Sequence, residues 1–296
     1  MKRLFVALTV LLGTVAPLGF LHSAGATAWA PADSATVHPG VQTYTAGGQC
    51  TANFVYSDGT NVYLGQAAHC SSQGSNTDTN GCLTPSLPLG TKVDVLGAAH
   101  QATLVYNSWI AMQQAGETNA DACDYNDLAL VQLDPADVAA VNPSVPHWGG
   151  PVGLNTAGTV AGESVYSYGN SILRGGVTLL SPKVGTSAGD DGNGWTHAVT
   201  TVTPGIPGDS GSAFLDADGA ALGDLSTLGI SIPGGVGNNV SDLSRELAYL
   251  HSHVPALAGV QLVAGTEAFD GNRVPLDANR PVDDPVGGYE HFFGIR

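Results

Sequence analysis

Basic residues are scarce in this chain. Its 296 residues include only 9 Lys and Arg against 25 Asp and Glu, a formal charge of −16. A general nucleic-acid binder needs Lys and Arg to neutralise phosphates, so that class is all but excluded, and attraction to an anionic membrane surface is disfavoured for the same reason. Charged residues make up 11% and aromatics 7%, while Gly numbers 40 and Pro 17. Such a chain makes many tight turns and few long, solvated helices. After the first thirty residues no run of about 20 apolar residues occurs, so nothing later spans a bilayer as a helix. No internal repeat stands out. What is present is enough apolar residue, 43%, to bury a sizeable core, which argues against wholesale disorder. The length suits one or two domains, or one large all-β unit.

Lys2 and Arg3 precede an apolar stretch from Leu4 to Leu21, which Gly13, Pro17 and Gly19 interrupt. Small residues follow from Ala24 to Ala30 and offer cleavage after Ala28 or Ala30. Residues 1–30 therefore read as a secretory signal peptide, and the helix breakers and small-residue exit argue against a membrane anchor. Cleavage removes two cations and no acid, taking the charge from −16 to −18. A secreted, extracellular product with no membrane attachment after cleavage is expected. In an oxidising compartment the even set Cys50, Cys70, Cys82 and Cys123 implies two disulfides. Three pairings are possible. Cys50–Cys70 with Cys82–Cys123 is preferred because each closes a modest loop. A metal site is the alternative, but no C-x-x-C spacing occurs, and neither metal nor cofactor is expected.

Residues 31–40 read as a short leader or pro-segment, and 41–254 as the main domain. Strand candidates are 52–56, 62–64, 92–96, 102–106, 128–133, 164–168, 177–180, 197–202, 213–215 and 221–232. Ser57-Asp-Gly-Thr60 and Asp216-Ala-Asp-Gly219 look like hairpin turns between such runs. Regularly spaced short strands suggest a sandwich or barrel architecture. A Pro/Gly-rich stretch, about 134–162, can link two halves. One helix is expected after a cap at Ser241 or Asp242, with Glu246 placed for a capping box and Val240, Leu243, Leu247 and Leu250 on one face, ending by Pro255. Residues 255–296 form a polar tail, and its aromatic close at Tyr289–Phe293 points to docking.

Three segments carry chemistry: Gly65-Gln-Ala-Ala-His69-Cys70, Asn126-Asp127-Leu-Ala-Leu130, and Gly208-Asp209-Ser210-Gly211-Ser212. Each alone has an ordinary structural reading. Together they offer what a serine nucleophile needs. A His takes the hydroxyl proton, a buried carboxylate orients and supports that His, and glycines shape a turn whose N–H groups face a developing oxyanion.

These motifs, in the chain order His, Asp, Ser and with a Cys about twenty residues before the His-Cys pair, resemble those of the chymotrypsin/trypsin-like serine proteases, in particular secreted bacterial members. The resemblance covers about residues 41–254. It implies an all-β fold of two six-stranded antiparallel β-barrels (chymotrypsin-like) with a C-terminal α-helix and tail, the site lying in the cleft between barrels. It further implies His69 as general base, Asp127 as its orienting group, Ser210 as nucleophile, and the N–H groups of Gly208 and Ser210 as oxyanion hole. It makes the Cys50–Cys70 pairing a family feature. A monomeric endopeptidase acting on protein or peptide is the function it implies.

The chain also departs from that pattern. Gln66 stands where Ser or Thr is usual, and no I/V-V-G-G start follows a basic residue near position 40. Asp209 then needs another cation, and Arg174 is the candidate. The pocket would be built from Pro204, Ser226, Thr227 and Leu228. No acid occurs from Thr200 to Gly208, so a neutral P1 residue is expected. His38, His100, His147, His197, His251, His253 and His291 read as structural. Three other functions compete: a catalytically poor homologue serving as a secreted binding protein, an esterase-type serine hydrolase, and a structural surface protein.

Overall fold

The structure, a computed structural model, describes residues 27–75, 78–232 and 235–275. Most of the expected signal peptide and the aromatic close at Tyr289–Phe293 lie outside the described residues.

The first half contains β1 (Gln42–Thr45), β2 (Gly48–Thr51), β3 (Val55–Ser57), β4 (Val62–Ala67), β5 (Lys92–Val95), β6 (Ala102–Asn107), α1 (Ser108–Ala115), α2 (Ala120–Tyr125) and β7 (Leu128–Gln132). The second half contains β8 (Ser164–Tyr168), β9 (Pro182–Asp191), β10 (Thr196–Thr201), β11 (Ala213–Leu215), β12 (Ala221–Ile232) and β13 (Gly235–Asp242). α3 (Leu243–His253) and β14 (Gln261–Leu262) follow. Strands β10-β13-β12-β11-β8-β9 close into a barrel, and all its pairings are antiparallel. The first half is an eight-stranded sheet in the order β14-β3-β4-β7-β6-β5-β1-β2, rather than six strands alone. It curls because β2, at one edge, runs straight on through residues 52–54 into β3, where Asn53 N donates to Gly65 O and Gly65 N to Phe54 O, both at 2.9 Å. The count rises from six to eight because β14, from the tail, adds to one edge and because one run of chain is divided into β2 and β3.

Alternation and turn chemistry explain most elements. Asp216 caps its own hairpin by accepting from the Asp218 and Ala220 N–H groups, both at 2.9 Å. The run 177–180, expected as a strand, contains a 3₁₀ turn, Thr178–Leu180, instead. A short apolar run carries no periodicity that separates the two. Helices α1 and α2 were not expected. Asn107 and Asn119 cap them, each side chain accepting two N–H groups of the first turn.

Expected helix α3 forms, capped by Asp242 Oδ1 on Arg245 N at 2.8 Å. Val240 falls in β13, and Glu246 is no capping-box residue but turns inward. The helix leaves the second barrel and seats Leu243, Leu247 and Leu250 in a core shared with Leu64, Leu128 and Leu130 of the first. Each such buried side chain contributes about 1.5–3 kcal/mol, so the helix fastens the halves together. Residues 31–40 are packed in as well. Ala35 and Val37 are fully buried, and Val37 bridges to Val141. Cys50–Cys70 and Cys82–Cys123 are the two disulfides. The first joins β2 to the turn carrying His69, and closing a loop of that size is worth about 3 kcal/mol by chain entropy.

Candidate active site

β4 ends in a 3₁₀ turn, Ala68–Ser71, that carries His69. Asp127 sits between α2 and β7, and β7 pairs with β4 in a register that sets Ala67 opposite Leu128. Pairing of the two strands thus delivers both side chains to one place. Asp127 is 2% exposed. Its Oδ1 accepts His69 N–H at 2.9 Å, and its Oδ2 takes both His69 Nδ1 and the Ser226 hydroxyl at 2.7 Å. A carboxylate only accepts, so Nδ1 carries a proton and Nε2 of the neutral ring is left as acceptor. Burial works against the imidazolium. The Asp127 charge and hydrogen bond outweigh it and raise the His69 pKa above 6.5.

Ser210 lies in a turn that needs glycine. Gly208 and Gly211 have φ of +96° and +82°. Thr51 N–H holds the Ser210 carbonyl at 2.9 Å, and Gly211 N–H reaches Leu225 O at 2.7 Å. Thr51 Oγ1 and Gln49 Nε2 hold the Gly208 carbonyl at 2.7 and 3.0 Å. Among the described residues, the N–H groups of Gly208 and Ser210 have no protein acceptor, while those of Asp209, Gly211 and Ser212 all do. The turn rests on the strand leading to His69, since a Cβ on Gly211 would sit 2.6 Å from Ala67 N and 2.7 Å from Thr51 O. Gly211→Ala is therefore expected to push the serine turn off that strand, lowering Tm and cutting activity at least tenfold; a thermal melt beside a peptide-hydrolysis assay checks it. No hydrogen bond joins Ser210 Oγ to His69. Such contacts are often long before substrate arrives.

Asp209 is fully buried and held from four sides. It accepts N–H groups of Ser171 and Ile206 at 3.0 and 3.1 Å, bonds Arg174 Nη2, and meets Lys183 Nζ at 3.1 Å. Arg174 was the expected cation. Lys183, on β9, was not, because one basic residue in a Gly-rich strand gives no local sign of burial. Burial dominates its titration and lowers its pKa to about 8, although Asp209 attracts its charge.

The expected pocket residues divide. Pro204 is exposed, and its carbonyl lies 3.5 Å from both Arg174 Nη2 and Lys183 Nζ. Ser226 turns its hydroxyl to Asp127. Thr227 Oγ1 accepts from Asn239 Nδ2 at 3.0 Å, and Leu228 pairs through its backbone with Asn238. Asn238 is 1% exposed beneath the 204–207 segment, where a Cβ on Gly205 would meet its Oδ1 at 2.7 Å. That Oδ1 has no hydrogen-bond partner. Cys50, His69 and Cys70 bring their ligand-type atoms within 4.8 Å, but both sulfurs are committed to the disulfide. Of the histidines without a motif, His197 is buried between Asp190 and Asp242, at 2.8 and 3.1 Å.

No protein-family model and no curated protein sequence matches the chain. Among solved structures it is similar to Thermobifida fusca protease A, at 19% identity over 77% of this chain and 99% of that one, with a TM-score of 0.50. The fold is chymotrypsin-like. A Nocardiopsis protease (16% identity, 76% and 98% covered, TM-score 0.45) and a Cellulomonas bogoriensis chymotrypsin (18%, 77% and 98%, 0.44) also match. Within the chymotrypsin-like fold of this chain, His69 and Asp127 come from the first half. Ser210 and Ser226 come from the second, and the Thr51–Ser210 and Ser226–Asp127 bonds tie the halves across the site.

Proposed function

We propose that the protein is a secreted serine endopeptidase that cleaves peptide bonds through an acyl-enzyme. His69 takes the proton of Ser210 Oγ as the hydroxyl attacks the scissile carbonyl. The oxyanion is received by the Gly208 and Ser210 N–H groups, and the protonated His69 then gives its proton to the leaving amine. Water repeats the sequence to release the acid. One observation carries the reading: a His–Asp pair oriented by a second hydroxyl stands beside a serine turn whose two N–H groups are the unclaimed donors. Lack of an acid from Thr200 to Gly208, with the Asn238 amide beneath Gly205, supports a neutral P1 residue. Disulfides support an extracellular, oxidising setting, and no described helix is long and apolar enough to cross a membrane. A monomer acting on protein or peptide fits this reading.

A fluorophosphonate probe tests it. The folded parent is expected to label, and Ser210→Ala and His69→Ala are not. Labelling of the parent should fall as pH drops through a His69 pKa above 6.5, because only the neutral ring accepts the proton. The absence of a Ser210–His69 hydrogen bond favours a second reading, a catalytically poor homologue that binds peptides, and a folded parent that never labels would put that reading first.

A further inference from the structure

Behind Asp127 lie two carboxyl groups that the mechanism does not use. Glu246, in the first turn of α3, and Asp224, on β12, are both fully buried. Glu246 Oε1 accepts the Asp127 N–H at 2.8 Å. β12 bulges between Leu225 and Thr227, and this irregular stretch turns the Ser226 hydroxyl to Asp127 while Asp224, two residues earlier, lies close enough to feel the Asp127 charge. The two acids are within hydrogen-bond reach of each other. Among the described residues no basic side chain bonds either one. Glu246 Oε2 and both Asp224 oxygens find no donor in the protein.

Among the described residues, the titratable groups around them offer no positive charge. Tyr56 from β3 and Tyr106 from β6 face the pair, with Tyr249 on α3 beside Tyr106. Asp127 comes from the turn before β7. Asp242, on the neighbouring strand β13, is already paired with His197. Two buried carboxyl groups in mutual contact, with no basic side chain among the described residues bonded to either, cannot both ionise near neutral pH.

We propose that Asp224 and Glu246 share one proton and serve as a positioning pair for Asp127. Taken with the peptidase reading, the pair fixes the Asp127 backbone through Glu246 while limiting the charge behind it to one. Both groups are raised well above ordinary carboxyl values, first by burial, then by the Asp127 charge for Asp224 and the Asp224 charge for Glu246. Loss of the shared proton at alkaline pH sets a second charge against Asp127, and repulsion loosens the support. The folded-state values lie above the unfolded ones, so the stability the pair contributes is complete below about pH 4 and is lost as pH rises through the folded-state values.

The test compares Glu246→Ala, Glu246→Gln, Asp224→Asn and the double variant Asp224→Asn/Glu246→Gln. Glu246→Ala is expected to lower kcat about tenfold or more with little change in KM, and Gln, which keeps the acceptor for Asp127 N–H, is expected to restore most of it. Each single amide holds one permanent donor and one charge, so its alkaline limb should extend beyond that of the parent. The double variant removes the remaining charge, and its acid limb should move down by about half a pH unit or more, because a charge that favours the His69 imidazolium is gone. Infrared difference spectra should also display a protonated-carboxyl C=O band in the parent at pH 7 that the double variant lacks. Unchanged pH limbs in all three amide variants, or no such band in the parent, overturns the pair. If the parent never labels, the peptidase reading fails, while the band and thermal melts of the parent and the double variant at alkaline pH, where only the parent should lose stability, still decide the shared proton.

Discussion

Asp127→Asn is expected to lower kcat about 10⁴-fold, roughly 5 kcal/mol of transition-state stabilisation, with KM changed only a few-fold. The reason is the number of donors on this one carboxylate. His69 N–H occupies Oδ1, and Oδ2 serves both His69 Nδ1 and Ser226 Oγ. An amide has one acceptor oxygen, so whichever way it turns, its NH₂ faces a donor. If it faces His69 Nδ1, that nitrogen must give up its proton. The ring then carries N–H on Nε2, where the proposed attack by Ser210 needs an acceptor. The substitution also removes the charge and hydrogen bond that raise the His69 pKa, while burial remains to lower it. The acid limb of the residual activity should therefore shift to lower pH. Steady-state kinetics across pH on a peptide substrate measures both effects. A loss below tenfold would mean that Asp127 does not set the tautomer.

How much of this was legible in the sequence depends on what local residues encode. Strands β8, β11 and β12 have the expected bounds, because the runs there stop at Gly169, Asp216 and Pro233. β9 was missed, since Pro182–Asp191 has two glycines and two acids and little alternation. The hairpin β1–β2, reading QTYT and GQCT, was missed because its residues are mostly polar though buried. His69, Asp127 and Ser210 could be singled out as candidates because each lies in a short segment with its own turn chemistry. Their supports could not. Glu246 sits at a spacing that serves a capping box equally well, and only the packing of α3 on the first half turns it toward Asp127. Nothing in the sequence around Asp224 or Lys183 marks either as buried. Such roles are fixed by contacts more than a hundred residues away for Glu246 and Asp127, and by a neighbouring loop for Lys183 and Asp209.

Asp209→Ala is expected to cost about 3–5 kcal/mol of stability, which lowers Tm by about 10 °C or more in a domain of this size. Arg174 and Lys183, with side chains 8% and 0% exposed, would be left facing one another with no anion between them. Ser171 and Ile206 N–H groups would lose their acceptor at the same time. Those bonds hold the 206–209 turn, so Gly208 and Ser210 N–H would no longer be fixed, and kcat should fall about 10²–10³-fold in whatever protein remains folded. Lys183→Met separates the charge balance from the turn. The Lys183 pKa of about 8 lies below its ordinary value, because burial outweighs Asp209, so its protonated form is the costly one. A lowered folded-state pKa means the contribution to stability is complete above about pH 10.5 and is lost as pH falls through about 8. Lys183→Met should thus melt no lower than the parent at pH 6, with Arg174 still neutralising Asp209. Arg174→Ala should fall between the two, since Lys183 alone then carries the pair. Melting the three variants at pH 6 and pH 9 decides the matter. If Asp209→Ala melts like the parent, the buried carboxylate is not what holds the turn. If Lys183→Met collapses at pH 6, the lysine is an essential counter-ion rather than a second cation whose burial outweighs its attraction to Asp209.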